Sequence, residues 1–167
     1  MKKYCFDTSG ISNPLENMPV DIHGSLWEQL LEFFESGNVA ITTEIFDEMV
    51  LLPDGIGERI KAAKDNLVLE VGEPIWGWQG YIENSNRMQD TYHDFISEFT
   101  GGSSRTICLN DLSIVALAKT LDLSLVNMEV FVPEQSPNKR RIPNICKYES
   151  VLPLTFNEFL RKEGFKF

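Results

Sequence analysis

Lys3-Tyr4-Cys5-Phe6-Asp7-Thr8-Ser9-Gly10 decides the fold. Its first four residues read as a short buried strand that stops on an acidic, hydroxyl-bearing triplet. Asp7 would then stand at the carboxyl edge of a sheet, where the loops of open α/β folds leave a crevice for ligands. Taken alone, the same residue serves equally well as a helix cap or a turn former.

Outward from this stretch, strands and helices alternate. Ser25 and Glu28 have capping-box spacing ahead of an apolar helix that Gly37 closes. Val39-Ala40-Ile41 reads as a strand, Thr42-Thr43 as a cap and Glu44 to Leu52 as a helix stopped by Pro53-Asp54-Gly55. A helix through Arg59 to Asn66 leads into Leu67 to Val71, either an edge strand or an extended connection. Pro74 to Phe99 is amphipathic and aromatic, and predicts two helices around a break near Asn84. After the Gly101-Gly102-Ser103-Ser104 loop, Asn110 is expected to cap a helix from Asp111 to Leu121, with Leu123 to Val126 as the next strand. That helix-to-strand order is the αβ unit of a parallel sheet. Val151-Leu152 suits a last strand, Thr155 and Glu158 a capping box, and Gly164 a helix stop. The expectation is one α/β domain over residues 1–167, with a central, mainly parallel sheet.

Composition narrows the function. The chain of 167 residues is long enough for a core without staples, and its 43% hydrophobic content is ordinary. With no membrane-length apolar run and no secretory signal at the N-terminus, it is expected to be cytoplasmic. Cys5, Cys108 and Cys146 lie among apolar residues without paired spacing, and read as thiols rather than as a disulfide set or zinc site. Fifteen basic against 25 acidic residues, a net charge of −10, argue against a broad nucleic-acid surface but permit a local one. Arg59, Lys61 and Lys64, and Lys139-Arg140-Arg141 with Lys147, are the basic clusters, each readable as a solvated face.

Several carboxylates besides Asp7 sit where a site could form. Asp111 opens its helix, where free N–H groups favour an ionised acid, and shares a face with Ile114, Val115 and Ala118. Glu129 follows the Leu125-Val126 strand, again at a carboxyl edge, and Glu48 lies at the margin of an apolar stripe shared with Ile45, Met49 and Leu52. Glu44 and Asp47 share that helix, and the residues alone do not choose among the three.

Asp7-Thr8-Ser9, Glu48-Met49, Asn110-Asp111 leading into Ile114 to Ala118, and Leu125-Val126-Asn127-Met128-Glu129 together resemble, in order and spacing, the four acidic motifs of PIN-domain nucleases. Ile142-Pro143-Asn144-Ile145-Cys146 looks like a segment of one PIN-like branch related to VapC-type bacterial toxins. Two positions depart from the pattern. Ser9 replaces the usual Asn and is expected to loosen the loop around Asp7, and Asn127 with Glu129 replaces a Thr-Asp ending.

The resemblance implies a three-layer α/β/α sandwich that hydrolyses RNA with Mg²⁺ or Mn²⁺. Asp7 and Asp111 would be primary metal ligands, with Glu48 and Glu129 completing the set directly or through water. Converging carboxylates suit that role, because they repel one another unless protonated or bound to a cation, and hard ions prefer oxygen. Thr8 or Ser9 would orient water or hold Asp7, or only stabilise the turn. Lys139, Arg140 and Arg141 are the candidates for RNA phosphates. Trp76, Trp78 and Tyr81 suit either stacking on bases or packing under a lid or interface. The toxin resemblance adds a cognate antitoxin and a homodimer. A haloacid-dehalogenase-like phosphatase would need a second Asp where Ser9 stands, and a receiver domain would need an acidic pair after the first strand. A PIN-like module with a decayed site, holding RNA or a protein, is the alternative.

Overall fold

The computed structural model describes residues 1–102, 106–136 and 139–167. Ser103 and Ser104, which were read as loop residues, lie outside them. Four short strands, β1 (Tyr4–Phe6), β2 (Val39–Ala40), β3 (Ser124–Val126) and β4 (Pro153–Leu154), form one sheet in the order β2-β1-β3-β4. Every pairing is parallel, with Cys5 opposite both Ala40 and Leu125. Each crossover must therefore be long, and helices supply it. Helices α1 (Ser9–Asn17) and α2 (Val20–Glu35) join β1 to β2. Between β2 and β3 run α3 (Thr43–Met49), α4 (Ile56–Ala62), α5 (Lys64–Leu67), α6 (Trp78–Thr91) and α7 (Leu109–Leu121). Helix α8 (Ile142–Glu149) joins β3 to β4, and α9 (Phe156–Glu163) follows.

Strand alternation makes this a three-layer molecule. Tyr4 and Phe6 point to one face, where their rings meet Phe33 and Phe34 of α2 and Phe159 of α9 at centroid distances of 4.8–6.1 Å. Helix α7 packs on the sheet through β1 and β3, and α6 and α8 pack on α7. From Leu112 to Ala118, α7 is buried on all sides, as expected of a helix between a sheet and further helices.

Several boundaries differ from expectation, each for a local reason. No Ser25 capping box forms, because the helix already starts at Val20 and merely kinks at His23. Gly37 does close it, at a positive φ of 79°. Thr42 caps α3 as expected, but that helix ends at Met49, and the next helical stretch is broken at Ala63. Of Leu67 to Val71, Val68 makes a single parallel bridge to Ile41. The expected break near Asn84 is absent: α6 runs through it, and Asn84 Nδ2 donates to Thr120 Oγ1 at 3.1 Å, docking α6 on α7. Cys108, not Asn110, caps α7. The last strand is Pro153–Leu154 rather than Val151-Leu152, and a proline is tolerated there because β4 is an edge.

Candidate active site

The sheet order sets the position of the site. From β1 the chain goes to one side for β2 and to the other for β3, so the β1/β3 gap is the topological switch point, where open α/β sheets bind ligands. Asp7 leaves the end of β1 beside it, and Asn127 to Glu129 leave the end of β3. The two exits touch. Asp7 N donates to Val126 O at 2.9 Å, and a Cβ added to Gly10 would stand 2.9 Å from the same oxygen, so only glycine lets α1 start this close to β3.

Ser9 tightens this corner instead of loosening it. Its backbone N donates to Asp7 Oδ2 at 2.9 Å, its hydroxyl donates to the same oxygen, and Ser9 Oγ accepts from Met128 N at 3.1 Å. Asp7 is thereby fixed while only 4% exposed. Thr8 takes a different partner: its hydroxyl donates to Glu48 Oε2 at 2.6 Å.

Asp111 arrives from α7. Its Oδ2 accepts from Cys108 N at 3.2 Å, the reciprocal half of a capping box. Because the cap lies at Cys108, Asn110 sits inside the first turn, and its Nδ2 donates to Glu48 Oε1 at 2.8 Å. Glu48 is thus held from two directions, by β1's exit loop and by α7. Asn110 was read as a cap and as the neighbour of Asp111 in its motif; its pairing with Glu48, 62 positions away, left no trace in local sequence.

Burial pushes the Asp7 carboxyl up to about 6; the Ser9 hydrogen bonds oppose that rise, and the charges of Glu129 and Glu48 add to it. Burial also pushes Asp111 up, to about 7, with the charge of Asp7 the next largest cause and Glu129 contributing. Asp7 therefore lies within reach of the fields of Glu48 and Glu129, and Asp111 within reach of those of Asp7 and Glu129. Neither Asp7 nor Asp111 has an ion pair among the described residues.

Glu129 differs. Its Oε2 accepts from Ile142 N at 2.8 Å, its Oε1 lies 3.4 Å from an Arg141 guanidinium nitrogen, and its own N donates to Asn127 Oδ1 at 3.2 Å. Asn144, fully buried and missed by the sequence reading, shapes the loop behind it by accepting from Val132 N and Arg141 N and donating to Val132 O. Of the predicted phosphate contacts, Arg141 is 42% exposed beside the cluster. Arg140 instead lies over the Phe95 ring at 4.5 Å and donates to the Ser136 and Lys139 carbonyls. Lys139 is half-buried.

A divalent ion fits part of this arrangement. Among the described residues no group of three His, Cys, Asp or Glu side chains is gathered to hold a metal; the expectation was Asp7 and Asp111 as primary ligands, with Glu48 and Glu129 joining directly or through water. All four carboxylates accept hydrogen bonds from the protein, but Glu129 also has a cationic neighbour in Arg141, whereas Asp7, buried, and Asp111, half-buried, have none among the described residues. Those two would be the all-oxygen donors to an ion, and Mg²⁺ characteristically takes one or two carboxylates and keeps its waters.

A three-layer α/β domain with acidic side chains at the switch point of a parallel sheet is the class that fold and site define. Residues 4–167 match the family described as a domain of unknown function, DUF4411, and the chain belongs to that family. Comparison with curated proteins returns no match. No helix among the described residues is long and apolar enough to cross a membrane.

Proposed function

We propose that the protein is a metal-dependent endoribonuclease of PIN-like type, acting as the toxin of a toxin–antitoxin pair. The observation that carries this reading is the Asp7–Asp111 pair: one buried and one half-buried acid, brought together from distant parts of the sequence, each without a basic partner among the described residues, at a sheet edge suited to ligands. Mg²⁺ or Mn²⁺ bound there would supply charge neutralisation, an activated water and a clamp for phosphate oxygens.

The chain's own groups then have distinct tasks. Asp7, oriented by Ser9, and Asp111, oriented by Cys108 N, would hold the ion. Glu48, locked by Thr8 and Asn110, presents a fixed acceptor to water at the site's margin. Arg141 is the cation placed to receive a phosphate of the RNA, exchanging its long contact with Glu129 for it.

Purified protein should cut single-stranded RNA with Mn²⁺ or Mg²⁺, should stop in chelator, and should lose activity as Asp7→Asn or Asp111→Asn with the fold intact. Cleavage that persists in chelator or in both variants overturns the assignment. Expression in a host cell adds the biological half: growth arrest relieved by Asp7→Asn supports a toxin, for which the resemblance would add a blocking antitoxin and a dimer. One feature favours the second reading, a decayed module that binds RNA or a protein: Glu129 already has a cationic partner in Arg141. RNA binding without cleavage at any divalent-ion concentration would select it.

A further inference from the structure

Next to the acidic cluster lies a cavity of about 290 Å³ that the chemistry above does not use. Thr42, Glu44, Trp76, Tyr81, Asn86 and Gln89 give it its character. The Trp76 and Tyr81 rings form one side, with centroids 5.7 Å apart and planes tilted by 46°, and Trp76 is fixed by its Nε1 donating to Glu70 O at 2.9 Å. The lining also offers a carboxylate on Glu44 and side-chain amides on Asn86 and Gln89. Burial and then the charge of Glu44 push the Tyr81 hydroxyl up to about 12, which places Glu44 within electrostatic reach of the ring.

The cavity is coupled to the candidate site by short contacts. Thr42 Oγ1 lies 3.0 Å from Ser113 Oγ, and Ser113 donates to the carbonyl of Asn110, whose side chain holds Glu48. Glu44 and Glu48 are four residues apart on α3, so about 6 Å of helix rise separates the cavity's acid from the site's acid. That separation suits the base and the phosphate of neighbouring parts of one strand.

We propose that this cavity holds one unpaired base of the RNA, and that Glu44 selects bases carrying an exocyclic amino group over uracil. The volume of about 290 Å³ lies just below the roughly 300–1,000 Å³ range of drug-sized small-molecule sites, which suits a single base. Aromatic faces bind any base by stacking, and discrimination must come from its edge. A carboxylate accepts from the amino groups of cytosine, adenine or guanine. Uracil flanks its single N3–H with two carbonyl oxygens, which the same carboxylate repels. The inference rests on the nuclease reading only for the claim that the base belongs to the substrate.

The test uses nucleosides, the full chain and chelator. Nucleosides carry no phosphate, so the metal site does not enter. Saturation-transfer NMR should show adenosine, cytidine and guanosine binding at least about five-fold more tightly than uridine. Trp76→Leu should weaken all of them several-fold, and Glu44→Gln, on an exposed side chain that the fold does not need, should erase the preference for cytidine over uridine. Equal binding of all four nucleosides, no binding, or indifference to Glu44→Gln overturns the proposal. Failure of RNA cleavage leaves nucleoside binding standing, and failure of nucleoside binding leaves any measured cleavage standing.

Discussion

Two regions bury carboxylates in opposite ways. Glu149, at the end of α8, is 6% exposed and fully answered: Arg87 donates to both its oxygens at 3.0 and 2.6 Å, and the Tyr92 hydroxyl donates at 2.7 Å. Burial alone would raise its pKa, but the Arg87 and Tyr92 hydrogen bonds outweigh that and hold it below the usual carboxylate range. Asp7 is equally buried, yet its nearest charges are other acids. A fold able to neutralise Glu149 leaves Asp7 and Asp111 in mutual repulsion. A buried acid without a cation is destabilising, and the contrast is what the proposed function would require of the switch point.

The largest expected effect breaks the contrast at its functional end. Asp7→Asn or Asp111→Asn should lower metal-dependent RNA cleavage by more than about 100-fold, since even residues that merely orient metal ligands are worth roughly 10–100-fold. Glu48→Gln, which keeps the Thr8 bond but weakens the acceptor, should fall nearer tenfold, with initial rates against Mn²⁺ concentration as the measurement.

Removing the cation from the satisfied region should act on stability instead. Arg87→Ala strands Glu149 and should destabilise by about 1–3 kcal/mol, below the usual range for breaking a buried pair because Arg87 is itself 46% exposed. Urea titration at pH 7 would read it, while cleavage by the remaining folded protein should be unchanged.

The opposite sign is expected at the switch point. In chelator at pH 7.5, Asp7→Asn and Asp111→Asn should each stabilise the protein by about 1–2 kcal/mol, because a pKa raised by two or more units above the unfolded value near 3.9 is a folded-state penalty on the charged form. Between pH 4 and about 7 the folded chain binds more protons than the unfolded one, so these two groups make stability fall as pH rises. Glu149 works in reverse: its stabilisation is present above its unfolded pKa and is lost as pH drops through its lowered folded value. Melting curves at pH 4 and 7.5 separate the two, and the Asn variants should match wild type at pH 4. Added Mn²⁺ should stabilise wild type and not Asp7→Asn.

Sequence pattern reached the β1 and β3 exits because a short apolar run ending in Asp, and a helix followed by a buried strand, are local features. It also reached Thr42 and Thr155 as caps, since capping is read within four residues. What escaped was decided by tertiary contact. Asn84 looks like a helix break but is spent on Thr120, and the Ser25 box is pre-empted by a helix starting at Val20. The two-residue shift of the α7 cap to Cys108 freed Asn110 for Glu48, a partner that only the folded sheet brings near. The division between acids with and without cations was likewise invisible, because Arg87 and Glu149 lie 62 positions apart.

The smallest effect sharpens the contrast at its intermediate member, Glu129, whose pairing with Arg141 is long and half exposed. Exposed pairs of this kind contribute about 0–1 kcal/mol, so Arg141→Ala should lower the melting temperature by no more than about 2–4 °C. Its effect should appear in RNA affinity instead. If Arg141 leaves Glu129 for a phosphate, the slope of log affinity against log salt should fall by about one in the variant. If Arg141 serves only to neutralise Glu129, as Arg87 does Glu149, the slope should stay the same, and the acidic cluster would contain one acid built for stability and not for substrate.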